Sequence, residues 1–145
     1  AMGIEKLGPS LKKVDVLLLN LEEASLLTHI PENDEIGIMS ELNKIHNGIN
    51  VVTKGADGAL VSDKDVLYNA FACRVKVVDK TGAGDAFGAG FVSGLIKSNN
   101  NVEWGIRRAI ANATSCIKVP GAINGLLKEN DSFEDKIKIE KGKIV

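Results

Sequence analysis

One run, Asp79-Lys80-Thr81-Gly82-Ala83-Gly84-Asp85-Ala86-Phe87-Gly88-Ala89-Gly90-Phe91, constrains this chain more than any other. It follows a β-like segment, Arg74 to Val78, and opens a helix predicted from about Asp85 to Lys97. Small residues ahead of a helix N-terminus leave backbone N–H groups unpaired and unshielded, and the helix dipole adds partial positive charge there. Such a turn is an anion cradle. Asp85 stands in the first helical turn, at once a good helix starter and a carboxylate beside the place where a phosphoryl group would sit. A carboxylate inside the cradle would repel a merely stored phosphate, so it points to chemistry: removal of the proton from an attacking hydroxyl. On local physics a plain strand-to-helix turn, with Asp85 as helix starter and Gly88 and Gly90 allowing close packing, accounts for the run equally well. Two other phosphate motifs fail. No Gly-Lys is followed by Ser or Thr, and a dinucleotide fingerprint counted from Gly82 meets Phe87 where it needs glycine.

Composition narrows the partners. The 145 residues are 44% hydrophobic and 26% charged, which suits one α/β domain over residues 1–145 with a single core. Lys plus Arg is 18 against 19 Asp plus Glu, a net charge of -1, so there is no basic excess for a nucleic-acid backbone. The longest apolar stretch, Val14 to Leu19 interrupted by Asp15, is far short of the roughly 20 residues that span a bilayer. The chain reads as soluble and cytoplasmic, without membrane or nucleic-acid partners. Cys73 and Cys116 lack metal or redox spacing and read as reduced, partly buried thiols.

Along the chain, residues 1–10 read as a vector-derived or truncated start. Val14 to Leu19 suits a parallel strand buried on both faces, Leu21 to Thr28 is helical in character, and Glu35 to His46 carries the stripe Ile38, Leu42 and Ile45 up to the Asn47-Gly48 stop. Asn50 to Thr53 is a second strand. Ala59 to Ser62 and Val66 to Tyr68 read as a hairpin around Asp63-Lys64-Asp65. A further helix spans Val102 to Lys118, and Lys136 to Val145 reads as a terminal hairpin around Lys141-Gly142.

With these elements in order, the residues resemble a known family. The run from Asp79 to Phe91 is similar to the C-terminal signature of the ribokinase-like, or phosphofructokinase-B, family of carbohydrate and nucleoside kinases. Asn20-Leu21-Glu22-Glu23 resembles that family's Asn-x-x-Glu, and Thr53-Lys54-Gly55-Ala56-Asp57-Gly58 its Thr-x-Gly-x-x-Gly nucleotide loop. The resemblance covers about Val14 to Leu127. It implies a partial Rossmann-like ribokinase fold, the C-terminal half of a mostly parallel sheet flanked by helices. It also implies ATP-dependent phosphorylation of a hydroxyl on a sugar or nucleoside.

Roles follow from the same resemblance. Asp85 is the general base, and the amides of Gly82, Ala83 and Gly84 stabilise the transferring phosphoryl group. Asn20 and Glu23 organise Mg²⁺, Glu23 through water, and the nucleotide phosphates; taken alone, the same pair is a capping box. Thr53, Gly55 and Gly58 line the ATP site, and Asn112 neighbours the adenine. Asp79 and the carbonyl of Thr81 form a monovalent cation site for K⁺.

Two departures stand out. Lys80 occupies a position usually held by Thr, Val or a small residue. The family's N-terminal half, with its Gly-Gly motif, sugar-binding acid and lid strands, has no counterpart here, so an unpaired sheet edge and a homodimer are expected. Phosphorylation by this chain alone should then be weak. The alternatives are a non-catalytic nucleotide-binding module and a structural α/β domain whose glycines serve packing alone.

Overall fold

The computed structural model describes residues 4–133 and 136–144. They fall into two compact units, the first made of residues 4–55, 59–69 and 140–144, the second of residues 56–58 and 70–139 apart from 134–135. Within the stretch expected to be a bare chain start, α1 forms over Ile4–Leu11. The ends of the expected segments, residues 1–3 and Val145, lie outside the described residues.

The first unit is built on apolar strands. β1 (Val16–Asn20) pairs in parallel with β2 (Ile49–Thr53), in a register that sets Val16 against Ile49 and Asn20 against Thr53. A parallel pair needs a crossover, and α2 (Leu21–Thr28) with α3 (Glu35–Ile45) provides it. β2 pairs antiparallel with β3 (Ala59–Asp63), which turns through Lys64-Asp65 into β4 (Val66–Ala70). Lys64 takes the left-handed φ of 53° that this tight turn demands. With β5 (Ile139–Lys143) the strands lie in the order β1-β2-β3-β4-β5, a mixed sheet in which the parallel pairing is that of β1 with β2 and the β2–β3 pair is antiparallel.

The expected helical stripe forms the core. Ile38, Met39 and Leu42 of α3 pack with Ala24, Val52, Leu60 and Leu67, and Leu17, Leu19 and Ile45 close its margin. Asp34 caps α3 by accepting the Gly37 N–H at 3.0 Å. Beside this apolar cluster runs a buried polar chain. The ring nitrogens of His46 lie 2.8 Å from Asn50 Oδ1 and 3.0 Å from the Val14 carbonyl oxygen. Asn50 Nδ2 donates to Asn43 Oδ1 at 2.8 Å, Ser62 Oγ donates to the same oxygen at 2.6 Å, and Asn43 Nδ2 donates to the Lys64 carbonyl at 3.2 Å. Deleting the Asn50 link leaves the buried His46 ring without its partner on that side. Asn50→Ala should therefore cost about 1–3 kcal/mol, read as a lower urea midpoint at unchanged slope. An unchanged midpoint would show that water reaches these groups.

The second unit is helical. α4 (Ala83–Lys97) and α5 (Val102–Ile117) are joined by a short turn with Asn99 and Asn100 left-handed, and Asn101 caps α5 by accepting the Trp104 N–H at 3.0 Å. Their backbones come close because two positions have no side chain. A Cβ on Gly90 would lie 2.8 Å from Ala109 Cα, and one on Gly94 2.7 Å from Gly105 Cα. Phe91, Ile106 and Ala109 fill the interface around them.

Three local expectations fail for physical reasons. Arg74 to Val78 forms no strand: the Val78 and Asp79 amides donate to the Ile117 carbonyl, and Val77 and Val78 stay exposed. The C-terminal alternation around Lys141-Gly142 makes the single strand β5, which runs through that pair instead of turning there. β1 is half-buried along its apolar residues rather than buried on both faces, as befits a strand at the sheet's edge. Among the described residues no helix is long and apolar enough to cross a membrane.

Candidate active site

The expected site residues are divided between the two units. In the first, parallel pairing sets Asn20 and Thr53 side by side at the carboxyl ends of β1 and β2, where open α/β sheets bind ligands. Asn20 Oδ1 accepts the Glu23 N–H at 2.8 Å while Glu23 Oε2 accepts the Asn20 N–H at 2.9 Å. That is a complete capping box, and it holds the Glu23 carboxylate at the surface with its other oxygen unspent. Thr53 Oγ1 donates to the Leu19 carbonyl at 3.4 Å. Next to it, Lys54 is nearly buried and its ammonium lies 2.9 Å from Glu35 Oε2, tying the start of this loop to the first turn of α3. Gly55 then opens a short 3₁₀ turn, Gly55–Asp57, that carries the chain to Gly58. A cleft of about 350 Å³ in this unit, lined by Ser40, Asn43, Lys44, His46, Lys64 and Asp65 among others, contains none of the expected site residues.

In the second unit the glycine turn opens α4 as expected. Gly82 is the N-cap, left-handed at φ 78°, and a Cβ there would meet Ala122 at 2.7 Å. Geometry and packing both require glycine. Gly84 is different: it is exposed, and a Cβ on it would meet nothing within 4 Å. Among the described residues no packing explains its lack of a side chain. The Ala83 N–H is spent on the Lys80 carbonyl at 3.2 Å, so the amides that a helix start leaves unpaired are those of Gly82, Gly84 and Asp85. Of the expected set, Ala83 is the one whose N–H has a protein acceptor.

Asp85 is exposed at the third position of α4, and its carboxylate has no hydrogen bond or ion pair among the described residues. α2 gives the contrast. There the acid at the same position, Glu23, closes a cap on the Asn20 N–H, whereas the Gly82 cap of α4 has no side-chain bond. Asp85 is not consumed by starting its helix. Lys80 is exposed beside it in sequence.

Behind the turn, Asp79 Oδ1 accepts the Thr81 N–H and Oδ2 the Gly121 N–H, each at 2.9 Å. The Thr81 side chain, then the Thr81 and Gly121 amides, lower the Asp79 pKa from the usual 3.8 to about 2. A depressed carboxylate pKa stabilises the fold above the unfolded value, and that contribution disappears as pH falls through the folded one. The stability gap between the wild type and Asp79→Asn should thus be full above about pH 4 and close toward pH 2. Paired denaturation curves across that range check it, and a gap independent of pH would contradict it.

Asn112 is buried, its Nδ2 donating to the Ala86 carbonyl at 2.7 Å and its Oδ1 accepting the Leu127 N–H at 2.7 Å. It clasps α4 and the 127 segment, with both ends of its amide engaged in the protein. The Cys116 thiol, buried, faces the carbonyls of Ala122 at 3.3 Å and Thr81 at 3.7 Å. Among the described residues no group of three His, Cys, Asp or Glu side chains converges as a metal cage. Gly121, Cys116 and the Lys54–Glu35 pair are the participants that sequence reading missed. Only the Pro120-Gly121 break signalled a turn in the segment that comes back to Asp79.

A model of the pfkB family carbohydrate kinases matches residues 5–129. The chain belongs to the pfkB family of carbohydrate kinases. A fructokinase of Escherichia coli is 33% identical over 125 residues, 83% of this chain and 40% of the relative. The structure of Arabidopsis thaliana ribokinase complexed with ribose and ATP superposes with a TM-score of 0.73 at 30% identity, covering 82% of this chain and 39% of that one. The nucleoside kinase of Methanocaldococcus jannaschii, an archaeal member of the ribokinase family, gives 0.71 at 27% identity over 86% and 40%. These kinases confirm the expected α/β ribokinase fold in partial form. The chain spans about 40% of the length of such pfkB relatives.

Proposed function

We propose that this chain is the ATP-binding and catalytic portion of a kinase that phosphorylates a hydroxyl of a sugar or nucleoside. The observation that carries the reading is the pairing of Gly84 with Asp85: a glycine that no packing among the described residues requires, beside a carboxylate that the α4 cap does not use, at a helix N-terminus. In the reaction, the acceptor oxygen bonds to the γ-phosphorus of ATP as the bond from that phosphorus to the β–γ bridging oxygen breaks. ADP leaves with the electron pair. Asp85 takes the acceptor's proton, and the Gly82, Gly84 and Asp85 amides with the dipole of α4 stabilise charge on the phosphoryl oxygens.

Asn20, Thr53, Gly55 and Gly58 form the nucleotide side of this proposal, with Asn112 supporting the adenine region through the segment it clasps. Mg²⁺ keeps most of its waters and needs only one or two carboxylates, which the surface-held Glu23 fits; it would neutralise phosphate charge. Asp79 stays ionised with a further lone pair on each oxygen, and with the Thr81 carbonyl it fits a monovalent cation such as K⁺.

The acceptor would be held chiefly by the part of the kinase that corresponds to the remaining length of its relatives. Losing that positioning removes up to roughly 7–11 kcal/mol of barrier lowering, so this chain alone should transfer label from γ-labelled ATP to pentoses, hexoses or nucleosides only in trace, Asp85-dependent amounts. Brisk turnover would contradict this division of labour. Absence of both label transfer and MgATP binding would contradict the proposed function itself.

A further inference from the structure

The cradle works only if its amides face outward, and glycine at position 82 does not ensure this. Glycine accepts φ of either sign, so the Thr81–Gly82 peptide is free to turn either face to the ligand side. Something beneath it must choose. The peptide is planar and trans, so its carbonyl and its N–H point in opposite directions. Where the Thr81 oxygen goes, the Gly82 N–H points the other way.

The Thr81 oxygen lies 3.7 Å from the Sγ of Cys116, and the Ala122 oxygen lies 3.3 Å from the same sulfur. Cys116 is fully buried near the end of α5, a rigid post under two loops. Asp79 accepts the amides of Thr81 and Gly121 and, as an ionised carboxylate, has no proton to donate to the Thr81 oxygen. Gly82 keeps φ 78° and its N–H has no protein acceptor among the described residues.

We infer that Cys116 is a positioning residue: its single thiol proton, shared between the Ala122 carbonyl at 3.3 Å and the Thr81 carbonyl at 3.7 Å, keeps the Thr81 carbonyl inward and thereby presents the Gly82 N–H to the phosphoryl group. This rests on the proposed reading of the turn as an anion cradle. The thiol touches no substrate and acts through one peptide.

The test compares Cys116→Val, which removes the donor and is slightly larger, with Cys116→Ser, which keeps a donor. MgATP affinity, the Gly82 amide resonance and thermal unfolding are measured on each. The expected result is a Val variant that melts near the wild type, shows a displaced Gly82 resonance and binds MgATP about tenfold more weakly, the worth of one hydrogen bond to a charged group. Cys116→Ser should recover affinity to within about twofold of the wild type. If Val does not fold, Cys116→Ala against Cys116→Ser gives the same contrast. A Gly82 resonance unmoved by loss of the donor overturns the inference. If the wild type binds no MgATP, the cradle reading fails, while the resonance still decides whether Cys116 orients the peptide.

Discussion

Asp85→Asn is expected to reduce phosphoryl transfer by about 10²- to 10⁴-fold, the usual worth of a positioned general base, while leaving MgATP affinity equal or slightly tighter. The sign of the binding effect follows from electrostatics. Asp85 stands in the first turn of α4, where its negative charge would repel the phosphates of a nucleotide bound at that helix start, so neutralising it should remove an unfavourable charge from the ground state. A single-turnover assay with γ-labelled ATP and saturating acceptor separates the two effects. Weakened MgATP binding with transfer unchanged would make Asp85 a ligand-holding residue instead of a base.

The second large effect lies in the contrast between neighbouring glycines. Gly82→Ala places a Cβ at φ 78° and 2.7 Å from the Ala122 side chain. Left-handed strain of about 1–2 kcal/mol and overpacking of about 1–3 kcal/mol add to a loss near 3 kcal/mol, a several-degree fall in melting temperature. Gly84→Ala meets open space in a helical conformation and should instead stabilise the fold by up to about 1 kcal/mol, since alanine loses less backbone entropy. If the turn were only a packing device, both substitutions would be read in stability alone. As a cradle, the turn should lose nucleotide affinity on Gly84→Ala while the fold gains. Destabilisation by Gly84→Ala would show that a protein group occupies the space in front of the turn.

Much of this was legible in the sequence because the deciding interactions are local. The Ile38, Leu42 and Ile45 stripe, the hairpin at Lys64-Asp65 and the Gly82 turn each depend on a few adjacent residues, and each forms where expected. The Asn20–Glu23 pair is a capping box, as its spacing allowed, and that box also keeps Glu23 at the surface at the end of β1. What failed depended on partners distant in sequence. Arg74 to Val78 has strand-like composition, but its last amides turn to the Ile117 carbonyl, a partner no local pattern reveals. The Lys141-Gly142 pair is turn-like in isolation, yet β5 runs straight through it beside the rest of the sheet. Asp79 finds Gly121 across 42 positions and Cys116 finds Thr81 across 35, so the support of the glycine turn came into view only with the fold.

Calorimetric titration of MgATP into the wild type, Asp85→Asn and Gly84→Val tests the central claim most directly. The cradle account predicts binding that survives in Asp85→Asn and is lost in Gly84→Val, although both variants melt near the wild type. Equal binding by all three, or retained binding in Gly84→Val with loss in Asp85→Asn, would contradict it.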